Sequence, residues 1–268
     1  MTSEVADPPI IDTHCHVFTQ SMPLTDTAWT RPGYDYPVET YLADLDAHGV
    51  AFGVVTAASL FGDYNDYTLR CLDAHDRLRA TVMLDPATGA TELADLRRRG
   101  VRGVRFQIAM SDALPDLSSY GFRRFVRRLA DADLHLELNL SGPQLAKMLP
   151  ALQDQGVKIV IDHFALLRSE GEMEGEGFVA AMKSIENGRT WIKLSAGFRL
   201  PPAAIARYAA RLLQVAGPER LLWGSDAPYV GCEDRMTYAA ALQMFYDIVP
   251  DERTRREISD SGLRLYFF

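Results

Sequence analysis

LHLELNL, residues 134–140, alternates apolar and polar side chains without a fault. Successive side chains on a strand point to opposite faces, so Leu134, Leu136, Leu138 and Leu140 share one face. His135, Glu137 and Asn139 share the other. In a soluble closed sheet the outer face packs on helices and has to be apolar. The polar face of this stretch therefore points inward.

Seven further apolar or β-branched runs have the length of strands: PIIDTHCHV, AFGVVTAAS, RATVML, VRGVRFQI, VKIVIDHF, TWIKLS and RLLWGSD. Between them lie stretches such as VETYLADLDAHG, TELADLRRRG and SGPQLAKMLPALQDQG, with apolar residues at helical spacing. Gly49, Gly100 and Gly156 each fall just before a strand, where a helix C-cap belongs. Eight strand–helix alternations over this length predict an α/β fold, a (β/α)8 TIM barrel, as one domain over residues 1–268. An open doubly wound sheet would more often carry a glycine-rich loop after its first strand, and His14-Cys15-His16 stands there instead. Two long loops, Thr19–Pro37 and Leu166–Gly177, follow strands one and six and should lie over the C-terminal mouth.

The chain has 268 residues, 47% of them hydrophobic, enough for a substantial core. Its 28 basic and 36 acidic residues give a net charge of −8. That argues against nucleic acid or an anionic membrane as partner, but a local arginine cluster can still hold an acidic small molecule. No apolar run is long enough for a membrane span. The first residues lack the pattern of a signal peptide, and Cys15, Cys71 and Cys232 are scattered as free thiols would be. A soluble, cytoplasmic protein is the expectation. Oligomeric state is not legible, although a barrel of this size often dimerises.

The same parity reading extends along the barrel. Strand four sends Val104, Phe106 and Ile108 outward and Arg105 and Gln107 inward, which leaves Arg102 solvated. Strand seven sends Ile192 and Leu194 outward and Lys193 and Ser195 inward. On strand one, Asp12, His14 and His16 share a face; on strand six, Ile159, Ile161 and His163 do; on strand eight, Leu222, Gly224 and Asp226 do. Buried charges need partners, so Glu137 and Lys193 are expected to pair deep inside. His14, His16, Arg105, Asn139, His163, Ser195 and Asp226 lie nearest the strand C-termini, where barrel active sites are built. Three histidines and an aspartate converging there point to a functional site.

DTHCH on strand one, IDHFA on strand six and LLWGSDAP on strand eight resemble the amidohydrolase superfamily. SLFGDYNDY, RGVRFQ, WIKLSAGFR and the terminal GLRLYFF narrow the resemblance to the amidohydrolase-related group that holds 2-pyrone-4,6-dicarboxylate lactonase. The resemblance implies catalytic roles for His14, His16, His163 and Asp226. It implies that Arg105 and Arg199 bind substrate carboxylates and that Ser59 contacts substrate. Asn65, Asn139 and Ser195 are further candidates for polar contacts, and Tyr64 and Tyr229 for lining the mouth. The chain also departs from the pattern. Asn139 stands where zinc members usually have histidine, and Arg105 where two-metal members have a bridging group. Asn139 and Leu166 replace a tyrosine and an arginine of the lactonase, with Arg168 two residues on, which implies a different lactone.

His14, His16 and Asp226 are the candidate ligands of one divalent metal, zinc or manganese. The resemblance leaves metal-free chemistry equally open. The expected reaction is hydrolysis of a carboxylate-bearing lactone, with Asp226 as general base and the histidines polarising the carbonyl. The alternatives are a zinc-dependent decarboxylase of the same superfamily and a non-catalytic barrel that binds carboxylated metabolites.

Overall fold

The structure, a computed structural model, describes residue 7 and residues 9–109, 114–167 and 170–268. Eight parallel strands follow one another round one sheet in chain order. They are β1 (Ile11–Cys15), β2 (Phe52–Thr56), β3 (Leu78–Val82), β4 (Val101–Gln107), β5 (His135–Asn139), β6 (Ile159–Ile161), β7 (Thr190–Leu194) and β8 (Leu221–Trp223). A bridge between Cys15 and Ala227 joins the last strand's extension to the first. Backbone bonds from His16 N to Ala227 O (2.7 Å) and from Asp226 N to His14 O (2.8 Å) complete the closure.

Helices α1 (Val38–Ala47), α2 (Asp66–Ala74), α3 (Ala90–Arg98), α4 (Tyr120–Asp131), α5 (Gly142–Leu152), α6 (Glu176–Glu186) and α7 (Pro202–Ala216) each fall between successive strands. Helices α8 (Tyr238–Ile248) and α9 (Glu252–Phe267) follow β8. This is the expected (β/α)8 barrel. Gly49, Gly100 and Gly156 sit at φ +72°, +103° and +77°, the left-handed turn that ends a helix where only glycine is unstrained. Among the described residues no helix is long and apolar enough to cross a membrane.

The leucines of β5 face the helices, in one continuous core with Phe125, Leu129 and Leu145. Inside the barrel a smaller cluster of Ile11, Val54, Val160 and Leu222 packs around Tyr266 from α9 and forms a floor. Each of these aliphatic side chains contributes about 1.5–3 kcal/mol on burial. Above the floor the interior is charged, and Lys193 Nζ donates to Glu137 Oε2 at 2.6 Å, as expected.

Two strands break the simple alternation. Between Asp12 and Cys15, β1 advances three residues while β2 advances two, from Gly53 to Val55. That extra residue is a bulge, and it turns Asp12 away from the histidines. Asp12 faces the helix layer, where it accepts from Tyr238 Oη of α8 at 3.1 Å. On β4, Val101 to Gly103 spans two residues against Ala80 to Thr81 on β3. Arg102 is consequently half-buried rather than solvated, with Nε donating to Tyr266 O at 2.8 Å under the floor. Burial and the nearby Arg97 and Arg79 push its guanidinium down to about 10.

Candidate active site

Asp226 follows β8 on a left-handed residue (φ +63°), a conformation that aspartate tolerates better than most side chains. Asp12 holds the preceding turn: Ser225 N donates to its Oδ1 (2.9 Å) and Ser225 Oγ to its Oδ2 (2.6 Å). The carboxylate that follows is thereby aimed into the barrel. Its Oδ1 lies 3.6 Å from His14 Nε2 and 3.5 Å from His16 Nε2. Its Oδ2 lies 3.4 Å from both Nε and Nη2 of Arg199. Burial alone would raise the pKa of Asp226. The contact with His16 and the fields of His163, His14 and His16 outweigh it and hold the carboxyl well below the usual carboxylate range.

His16 is fixed by its other nitrogen, Nδ1, which donates to Thr56 O at the end of β2 (2.7 Å). His14 is wholly buried, and burial, then Lys193, pushes its pKa down to about 3, so the ring is neutral. Its Nδ1 lies 3.1 Å from Lys193 Nζ and 3.4 Å from Asp162 Oδ1. Its Nε2 is buried without a hydrogen-bond partner.

His163 reaches the mouth by a route that strand parity does not describe. Strand β6 ends at Ile161, and Ile159 and Ile161 pack outward in the main core. His163 to Leu166 then all take positive φ, between +52° and +59°. This left-handed turn swings His163 inward, to a ring-centroid distance of 4.8 Å from His14. There His163 Nδ1 meets Ser195 Oγ at 2.9 Å. The inward-facing residue of β6 is Asp162, which was not singled out although it shares parity with Val160 of the floor. Asp162 Oδ2 accepts from Arg105 Nε (3.0 Å), and Arg105 Nη2 lies 2.9 Å from the same oxygen.

Arg105 is therefore sunk in the barrel, 4% exposed, with Nη1 also donating to Ala57 O at 2.8 Å. Arg199 differs: its side chain is 39% exposed and is steadied by Val230 O (2.9 Å). Ser195 is brought into the cluster through His163. Asn139 ends β5, buried beside Gln107 of β4. Ser59 opens a short 3-10 turn past β2, at the rim. Asn65 spends its amide on Asp63 O (2.9 Å) and Met83 O (2.8 Å), which ties the β2–α2 loop to the end of β3. Tyr229 is buried and its ring packs edge-on against Phe198. Tyr64 is half-buried in the β2–α2 loop. Arg168 lies outside the described residues.

The ligand atoms of His14, His16 and Asp226 lie within 4.8 Å of one another, as do those of His14, Asp162 and His163. In position the first set fits one divalent ion. In lone pairs it does not. An ammonium can only donate, so with Lys193 bonded to Nδ1 the proton of the neutral His14 ring belongs on Nε2. The second set is no better, because Asp162 is committed to Arg105 and Lys193.

A closed barrel with histidines and an aspartate gathered at the C-terminal ends of its strands has the architecture of a TIM-barrel enzyme. The chain belongs to the amidohydrolase family, whose profile matches residues 11–260. It is 30% identical over 268 residues to a 4-sulfomuconolactone hydrolase of Rhizobium radiobacter, covering 95% of this chain and 89% of the relative. A crystal structure of a probable 2-pyrone-4,6-dicarboxylic acid hydrolase from Acinetobacter baumannii, with citric acid bound, superposes with a TM-score of 0.91. That match is 27% identical and covers 97% of this chain and all of the other. A dihydroxybenzoic acid decarboxylase from Polaromonas, with bound manganese and an inhibitor, superposes at 0.68 with 14% identity over 97% of each chain. The last likeness is one of fold alone.

Proposed function

We propose that this protein hydrolyses a lactone bearing a carboxylate or a similar anionic group. The observation that carries the reading is Asp226, an ionised, nearly buried carboxylate facing two imidazole Nε2 atoms at 3.5–3.6 Å, with Arg199 on its other oxygen. The names of the relatives support the same substrate class: a sulfomuconolactone hydrolase and a pyrone-dicarboxylic acid hydrolase.

In this mechanism Asp226 takes a proton from water as the water oxygen bonds to the lactone carbonyl. His14 and His163 donate to the developing oxyanion. As the ring C–O bond breaks, Asp226 returns the proton to the leaving oxygen. The product is a hydroxy acid, which releases a proton to solvent at neutral pH. Arg199, exposed and forked, binds a substrate carboxylate in paired N–H contacts. Arg105 acts from below by holding Asp162, and its remaining N–H groups serve a second carboxylate. No metal enters these steps.

The test is acid release, followed with a pH indicator, across a panel of carboxylated and sulfonated lactones. Turnover of at least one member, lost by about 10²–10⁴-fold in Asp226→Asn with substrate still bound, is the expected result. No turnover across the panel, or carbon dioxide release from a hydroxybenzoate in its place, overturns the reading.

A further inference from the structure

The two histidines of the His-Cys-His stretch differ in what holds them from behind. His16 Nδ1 faces the backbone oxygen of Thr56 at 2.7 Å. A carbonyl oxygen only accepts, so that nitrogen carries a proton, and the neutral ring then has its lone pair at Nε2. His14 Nδ1 faces Lys193 Nζ at 3.1 Å. Lys193 has three N–H groups and no acceptor, and it has three neighbours: Glu137 Oε2 at 2.6 Å, His14 Nδ1 at 3.1 Å and Asp162 Oδ1 at 3.5 Å. A proton on His14 Nδ1 would set one N–H against another.

We propose that His14 and His16 are held in opposite tautomers, and that Lys193 is the positioning residue that makes His14 an Nε2–H donor. The two Nε2 atoms, both beside Asp226 Oδ1, then differ in kind. A water between them donates to His16 and to Asp226 and accepts from His14, which fixes its lone pairs and its protons at once. A divalent cation at the same point finds one imidazole lone pair instead of two. Lys193, wholly buried behind His14, thus sets how strongly this mouth competes for metal. The consequence for the water rests on the hydrolytic reading above; the tautomers themselves do not.

Removing the lysine reverses the logic. The polar atoms then left near His14 Nδ1 are Asp162 Oδ1 at 3.4 Å and Glu137 Oε1 at 4.0 Å, both acceptors. The ring proton moves to Nδ1 and frees the Nε2 lone pair. The experiment is a long-range ¹H–¹⁵N spectrum of the whole chain labelled with ¹⁵N-histidine, assigned with His14→Asn and His16→Asn. Wild type should show His14 protonated at Nε2 and His16 at Nδ1. In Lys193→Met, His14 should switch to Nδ1–H while His16 stays unchanged. Zinc affinity by calorimetry should rise about 10–100-fold, the usual scale for groups behind a metal ligand. Because that variant leaves Arg105 alone to balance both Glu137 and Asp162, the double variant Lys193→Met/Glu137→Gln provides the same measurement with the interior charge balanced. A wild-type His14 protonated at Nδ1, a His14 that keeps its Nε2–H in both variants, or an unchanged zinc affinity overturns the proposal. Each result is read without any substrate, so a failure here is distinct from a failure to find a lactone that turns over.

Discussion

Ser195 shows how much one hydroxyl can settle. Its Oγ is the partner of His163 Nδ1, and it stands directly after the last residue of β7. Ser195→Ala should leave the fold intact and lower kcat about five- to tenfold with little change in KM. That is the scale of a net hydrogen bond of ~1 kcal/mol lost from a group that, in the proposed mechanism, acts in the transition state. Steady-state kinetics on the turned-over lactone checks it. The residues around it were unevenly legible in the sequence. His14, His16, Ser195 and Asp226 were found because each sits where parity and a strand end coincide. His163 was found from its place at the end of a strand, although its parity with Ile159 and Ile161 would have turned it outward; four successive left-handed residues leave no mark on a strand pattern. Asp162 was legible in principle as an inward charge two residues after Val160, and was passed over. The Lys193–Glu137 pair was expected, but the third partner, His14, was not, because sequence spacing does not measure depth within a barrel layer.

At the scale of elements, the barrel depends on a few places where backbones come too close for a side chain. A Cβ on Gly224 would lie 2.5 Å from His14 Cβ and 2.8 Å from its backbone N. The obstacle is the β1 backbone, which has no rotamer to yield. Gly224→Ala should therefore displace His14, lowering both activity and stability by about 1–3 kcal/mol of overpacking. At this chain length that is about 2–4 °C in Tm per kcal/mol. Gly121→Ala is the control: nothing lies within 4 Å of its Cβ position in α4, and the helix should gain about 0.5–1 kcal/mol. Thermal melts and activity of the two variants together check the pair. Strands and helices were well read from periodicity because all eight strands repeat one unit. The bulges on β1 and β4 were not, since one inserted residue changes facing without changing composition, and Asp12 and Arg102 were misplaced for that reason alone.

For the whole molecule, three buried imidazoles make stability fall on acidification. The pKa values of His14, His135 and His163 are all lowered by burial, that of His14 to about 3. The unfolded chain binds protons on these rings below about 6.5, where the folded protein does not. Stability is therefore fully present above about pH 6.5 and is lost as pH falls towards the folded values. Asp12, raised by burial, runs the opposite way. Tm measured from pH 8 to pH 4 should hold above about 6.5 and fall below it, with a shallower fall in His135→Gln. A flat profile through that window would contradict the burial of the three rings as neutral species.

Tyr266 and its aliphatic neighbours seal one end of the barrel. The vessel is thus blind: whatever arrives must leave by the doorway it used, past the same arginine. Under the proposed hydrolysis, an opened ring carries one more negative charge than the closed one and departs against that guanidinium's pull, so clearing the doorway and admitting the next guest are a single queue rather than two.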